Sequence, residues 1–491
     1  MAKFALEIVY PRDDLDTANR CYHAYPGLTY EIGVSVFGGL YPFVYTLSGE
    51  PSGMTINAST GVITWVNPQS SSGTITVTVT DDEDTVDTET FTVAVATTNF
   101  KFVDAVGGSD SNNGSSAALA KQTVSALSAV DAGSTIWYFR TGVYNLNGIG
   151  TTGPVEAPYV DFEYDAGGGG NSTQWLAYPG ETPAFDFQYV ASAVPFIRFS
   201  GPNIFIDGFE CYGDFVKCFE GNGAATNSQP IFRNLHCHTG GPGLGGSNAA
   251  FIMVGHSALK YGLTIQDCVF DDAAHNALKI YDVTKHVVER CTFSHNGGIE
   301  EKDGCVQFSI RACEFHDIDN DGTGAGVAFG GNLNNGAGTS TGEVCFNLFE
   351  GSADYEIEIG RAEVNPIGAM YVYRNTIVGD IHLEDVDTAD GPYTFENNVI
   401  INAQGAQSPW PFVVETSITD TSRVTINISS NPELSPTGVE NLAGATSDNI
   451  VDASWLLQGT YRTNFLGLKG HEVVAVSQGY TGKAGFIRWA F

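Results

Sequence analysis

The chain has 491 residues, 42% of them apolar, which is enough for two or three domains with buried cores. Twenty-two basic residues stand against 56 acidic ones, and a net charge of −34 argues against nucleic-acid and anionic-membrane partners. No apolar run is long enough for membrane insertion. Met1-Ala-Lys-Phe-Ala-Leu-Glu7 lacks the apolar core of a signal peptide, so no leader is expected.

Residues 1–23, with Pro11-Arg-Asp-Asp-Leu-Asp16, fit no periodic pattern and are expected as an N-terminal arm. Residues 24–97 alternate apolar and polar positions in Tyr30-Glu-Ile-Gly-Val-Ser-Val36, Gly61-Val-Ile-Thr-Trp65, Thr74-Ile-Thr-Val-Thr-Val79 and Thr90-Phe-Thr-Val-Ala-Val95. Short strands separated by turns predict a small β-sandwich, and the missing Cys…Trp…Cys frame excludes an antibody-type domain. Asp81-Asp-Glu-Asp84 reads as a solvated inter-strand loop.

Residues 98–430 are organised by a repeat. Ile265-Gln-Asp-Cys-Val-Phe270, Val288-Glu-Arg-Cys-Thr-Phe293, Ile310-Arg-Ala-Cys-Glu-Phe315, Val344-Cys-Phe-Asn-Leu-Phe349, Val372-Tyr-Arg-Asn-Thr-Ile377 and Phe395-Glu-Asn-Asn-Val-Ile400 share one form. Looser copies start at Ile206 and Phe232, and successive copies lie 22 to 34 residues apart. Such periods mark a solenoid, and strand–turn–strand content without a 3.6-residue period excludes helical repeats. With one copy per coil, position four (Cys268, Cys291, Cys313, Asn347, Asn375, Asn398) stacks at about 4.8 Å, as amide-to-amide hydrogen bonds require. Position six (Phe270, Phe293, Phe315, Phe349) predicts an internal aromatic stack. Residues 431–491 lose the repeat and are expected as a cap over the open strand edge.

The repeat with its inward Asn column resembles the right-handed parallel β-helix of the pectate-lyase-like superfamily. Phe102 to Gly114, Ala132 to Tyr144 and Trp175 to Pro183 are similar to its entry segment and first coil. Pro51-Ser-Gly-Met-Thr-Ile-Asn-Ala-Ser-Thr-Gly-Val-Ile-Thr64 resembles bacterial immunoglobulin-like or cadherin-like modules. The expected fold is all-β: a right-handed parallel β-helix solenoid preceded by a small β-sandwich. The combination looks like a phage tailspike. It implies a virion-surface or extracellular protein that binds a polysaccharide, with depolymerisation as a further expectation, either as a homotrimer or attached to other virion proteins through its N-terminal module. A non-catalytic decoration protein or adhesin is the rival class, and a secreted cellular lyase the third.

Nine Cys at these spacings fit buried reduced thiols better than a disulfide framework. Cys211 and Cys237 are expected in a second inward column, and His236-Cys237-His238 is too local for a four-ligand zinc cage. His275, His295 and His316 are expected to share a turn face.

The resemblance places any chemistry on the outer face of the sheet whose strands precede each motif. Lys279, Glu300, Glu301, Lys302 and Asp303 are expected together there, as are Glu356, Glu358, Arg361, His382, Glu384 and Asp385. β-Elimination needs a cation for the uronate carboxylate and a neutral base, which points to Lys279, Glu301 and Lys302. Asn296-Gly-Gly-Ile-Glu-Glu-Lys302 resembles segments of alginate and chondroitin lyases, though their Arg-His-Gly element is missing. Hydrolysis needs two carboxylates, and Glu301 with Glu358, two coils apart, suits the inverting separation. Lys302-Asp-Gly-Cys-Val306 is similar to the polygalacturonase Asp-Asp-Cys segment, without its second Asp or the later Gly-His-Gly. Glu358, Arg361 and His382 form the second catalytic candidate set. Solvated charge ladders are the alternative for both clusters.

Asp317-Ile-Asp-Asn-Asp-Gly322 has the form of a Ca2+ loop, with Asp317, Asp319 and Asp321 as ligands and Asp271 or Asp272 adding oxygens. Position twelve is Ala328, so the loop is not an EF-hand.

Overall fold

The computed structural model describes residues 2–15, 17–124, 135–145, 160–161, 173–187, 197–199, 204–213, 217–221, 230–240, 250–254, 260–273, 276–302, 305–318, 325–330, 340–352, 355–361, 368–379, 381–383, 391–396, 398–401, 412–414, 424–426 and 450–451. Position 275, the Asp319–Asp321 pair, Asp303, Glu384, Asp385 and the expected cap beyond residue 451 lie outside them. Two compact units divide the chain: Met1–Leu244 with Ser257–Cys268, and Gly245–His256 with Val269–Phe491.

The first unit begins with antiparallel sheets. Tyr30–Gly33, Val62–Trp65 and Met54–Ile56 form one, and Val44–Ser48, Ile75–Thr80 and Val86–Phe91 another. Alternation in Ile75–Thr80 buries Ile75, Val77 and Val79, as the pattern predicts. Within the segment expected as an arm, Glu7–Tyr10 is instead a strand paired with Ser35–Phe37. Asp81 is a buried turn anchor rather than a solvated residue, since its carboxylate accepts from the amides of Leu40, Glu83 and Thr85. The module is fixed to the coils that follow it by the Ser35 and Thr264 hydroxyls, 2.9 Å apart, and by Gln266 Nε2 donating to the Val34 carbonyl at 3.0 Å.

Parallel strands make up the rest of both units. In the first, Phe100–Val103, Thr135–Phe139, Thr173–Ala177, Ile204–Asp207, Ile231–Arg233 and Thr264–Gln266 pair in that order. In the second, three parallel sheets recur with every coil, and strand order advances by one coil at each step. This is a parallel β-helix, and crossover connections of this kind are right-handed.

Among the described residues, the repeat motifs starting at 206 through 372 are corners between two strands. Their third residue takes a left-handed backbone: Asn234, Asp267, Arg290, Ala312, Phe346 and Arg374 have φ of 50 to 58°, and Gly208 has 88°. For a residue with a Cβ that conformation costs about 1–3 kcal/mol, so surrounding bonds must hold it. Position four supplies them by reaching around the corner. Asn375 Nδ2 donates to Tyr373 O and to Val344 O one coil back. Cys313 Sγ makes the same two contacts, to Arg311 O and Val288 O. Thiol and amide thus fill one slot because both donate to the same pair of carbonyls.

The expected stacks are present. Asn347 Nδ2 donates to Asn375 Oδ1, and Asn375 Nδ2 to Asn398 Oδ1, each at 3.0 Å. Phe270, Phe293, Phe315 and Phe349 stack with centroids 5.2, 4.7 and 4.6 Å apart. All nine Cys are buried free thiols, and Cys211 pairs in register with Cys237.

Candidate functional site

In the second unit the strands Asn276–Tyr281, Ile299–Lys302, Val327–Gly330, Ile357–Arg361 and Ile381–Leu383 lie side by side in parallel. Successive side chains on a strand point to opposite faces, so register decides which residues meet. Leu278, Ile299, Val327, Ile357 and Ile381 form one inward row, and Ile280, Glu301, Phe329, Ile359 and Leu383 another. Between them, on the opposite face, runs Lys279, Glu300, Ala328, Glu358, His382. Lys279 and Glu300 from one expected polar cluster and Glu358 and His382 from the other therefore share one column, interrupted by a single small residue.

Glu301 does not belong to it. The sequence reading put Glu301 beside Lys279 and Lys302, but the pleat turns its side chain into the apolar interior, where it is 0% exposed. There His286 Nε2 lies 2.9 Å from Glu301 Oε1, and His286 stacks on Phe308. Cys305 closes this buried trio. A carboxylate in that setting needs its imidazole partner, because an unpaired buried charge is costly.

Glu300 takes the place expected for Glu301. Lys302 Nζ lies 2.5 Å from its Oε1, Lys279 Nζ 3.3 Å from its Oε2, and the Tyr281 hydroxyl donates to Oε2 at 3.1 Å. Burial alone would raise its pKa, but the two ammonium groups outweigh that and hold the carboxyl below its usual range. Lys279 is buried, while the Lys302 side chain keeps 28% exposure and is not the fully exposed position expected. Further along the column, His382 Nδ1 lies 3.5 Å from Glu358 Oε1, and Tyr355 stacks on the imidazole at 4.1 Å. Glu356 is buried and has its own partner. Burial raises its carboxyl to about 7, and Ser352 Oγ donates to it. Arg361 ends the strand Ile357–Arg361.

Asn296, in the segment similar to lyases, is a buried structural residue. Its Nδ2 donates to the Phe270 and Ser294 carbonyls, and its Oδ1 accepts from Gly298 N.

The described part of the expected Ca2+ loop does not converge. Asp271, Ser294, His316 and Glu350 are in register, which sets Asp272, His295 and Asp317 in the next row. His295 thus separates Asp272 from Asp317. Asp271 Oδ1 already meets Ser294 Oγ at 2.8 Å and His295 Nδ1 at 2.9 Å. The same register corrects the expected histidine face: His295 is at the turn, whereas His316 is a buried strand residue between Glu314 and Glu350.

A family model described as "Putative Ig domain" matches residues 17–96. The N-terminal module is immunoglobulin-like. No curated protein matches the chain. Among solved structures, a rhamnogalacturonan lyase is 16% identical with a TM-score of 0.46, over 65% of this chain and 86% of that one. Pectate lyase Pel9A is 14% identical with a TM-score of 0.45, over 80% and 89%. The Yersinia enterocolitica family 28 exopolygalacturonase is 9% identical with a TM-score of 0.38, over 82% and 90%.

Proposed function

We propose that the protein binds a polysaccharide at the Lys279–His382 column and hydrolyses it with two carboxylates, Glu300 and Glu358. One observation carries this reading: the two acids stand in the same column on either side of Ala328. Two strand steps separate them by about 9–10 Å at the backbone, near the upper end of the inverting range. In the column only the Ala328 methyl stands between the two acids.

Glu300, held ionised by Lys279 and Lys302, takes a proton from that water as its oxygen bonds to the anomeric carbon. Glu358, beside His382, gives a proton to the leaving glycosidic oxygen as the carbon–oxygen bond breaks. Both lysines are engaged by Glu300, which opposes the neutral state that a lyase base requires. The ammonium groups of Lys279 and Lys302 are already engaged by Glu300, and the net charge of −34 repels anionic chains. A neutral glycan therefore suits the site better than a polyuronate. An immunoglobulin-like module ahead of the solenoid fits a tailspike-like role on a virion surface, with that module as the attachment point.

The test is to incubate the full-length protein with neutral and acidic polysaccharides, following reducing ends and the absorbance of unsaturated ends separately. New reducing ends without unsaturation, lost in Glu300→Gln and in Glu358→Gln, are expected. Unsaturated products would return the chemistry to β-elimination by Lys279 or Lys302. Binding without products on any polymer would leave a decoration protein or adhesin.

A further inference from the structure

His236 and His238 are two residues apart on the strand His236–Gly240, so both side chains leave the same face while Cys237 turns inward. That spacing is too local to enclose a metal, but the neighbouring strand Glu210–Gly213 brings a third donor. Glu210 pairs in register with His236, and its Oε1 lies 2.9 Å from His238 Nε2. The two imidazoles are 4.6 Å apart at their centroids. One donor atom from each of the three residues lies within 4.8 Å of the others. Around a tetrahedral ion with bonds of 2.0–2.1 Å the donors sit about 3.3 Å apart, so small side-chain rotations close the set.

The local backbone is arranged around His238. A register shift opens after it, and Thr239 in the shifted segment has φ of 53°, a conformation strongly disfavoured for a β-branched residue. Its Oγ1 lies 2.9 Å from His238 Nδ1, and Tyr212 stacks on the other side of the imidazole. With its proton on Nε2, His238 donates to the Glu210 carboxylate; with the proton on Nδ1, donated to Thr239 Oγ1, the Nε2 lone pair faces that carboxylate instead. Two electron-rich donors facing each other across 2.9 Å are stabilised by a cation between them.

The geometry points to a surface site for a divalent transition cation of the Zn2+, Co2+ or Ni2+ class, bound by Glu210, His236 and His238. Two imidazoles select such ions over Ca2+, which prefers all-oxygen sites. His236 is exposed, and the side chains of His238 and Glu210 are 24% and 37% exposed, so solvent fills the remaining coordination positions. The ion would join two neighbouring coils. Thr239 acts as a positioning residue through His238.

The test uses the full-length chain stripped with a chelator and titrated with Zn2+ by calorimetry, with Co2+ as the spectroscopic probe. One site per chain is expected, lost in His236→Ala/His238→Ala and weakened about tenfold in Thr239→Val. Excess Ca2+ should not displace Zn2+, and bound Co2+ should show no thiolate charge-transfer band. The metal-free double variant should melt with the parent, since its altered side chains are on the surface. Unchanged Zn2+ affinity in that variant, or no binding by the parent, overturns the assignment. So does a thiolate band abolished by Cys305→Ser, which would move the ion to the buried His286, Glu301 and Cys305.

Discussion

Asn375 donates from Nδ2 to Asn398 Oδ1 while its own Oδ1 accepts from both the backbone N and the Nδ2 of Asn347. One side chain thereby satisfies groups on three coils. Asn375→Ala should cost about 1–3 kcal/mol, read from the denaturant midpoint, because those buried donors and acceptors lose their partners. Asn375→Cys should cost less, since a thiol already makes the corner contacts at Cys313. Equal losses for the two variants would mean that volume, not hydrogen bonding, decides the slot.

Glu301 and His286 should behave as a unit. Glu301→Met alone leaves the imidazole buried without its carboxylate and should destabilise by about 3–5 kcal/mol. Adding His286→Phe should recover most of that loss, because position 286 is in register with Phe308 and an aromatic already stacks there. Thermal melts of the two single variants and the double variant give the coupling directly.

Removing the Lys302 ammonium should let the Glu300 pKa rise. In the hydrolytic reading the acid limb of the pH–rate profile then moves to higher pH in Lys302→Ala. A profile that loses height without shifting would show that Lys302 does not act through Glu300.

His316 gives stability a pH dependence. Burial disfavours its charge, but Glu314 and Glu350 outweigh burial and raise its pKa to about 9 from 6.5. A folded-state pKa above the unfolded one contributes stability that is complete below pH 6.5 and is lost as pH rises to about 9. Glu356, raised to about 7 from 4.5, acts in the same direction over a lower window. Melting temperature should therefore fall between pH 6.5 and 9, and His316→Gln should flatten that slope.

What could be read from the chain depended on how many coils repeated the signal. The Asn column and the Phe stack recur at fixed motif positions, so period alone placed them correctly. Glu300 and Glu301 are adjacent and chemically identical. Their faces follow from Ile299 lying in an inward row, which puts Glu301 inside against the ordinary preference for burying apolar groups. The Glu210, His236 and His238 set was missed because its carboxylate is distant in sequence. Yet the copies starting at Ile206 and Phe232 are 26 residues apart, which is the separation of Glu210 from His236. Of the acids in the Asp-rich turn only Asp317 is described, and the register sets His295 between it and Asp272, a separation that spacing along the chain does not reveal.

From the coil of Ile206 onward the corner built on the left-handed residue is two residues long, from Gly208-Phe209 between Ile204–Asp207 and Glu210–Gly213 to Arg374-Asn375 between Met370–Tyr373 and Thr376–Val378, whereas the two coils before it turn over three and six residues, 140–142 and 178–183. Repeat lengths nevertheless range from 22 to 34 residues. From Ile206 onward, length variation therefore enters outside this corner. New surface can be grafted onto this solenoid away from the two-residue corners, which keep the coils from Ile206 onward in step.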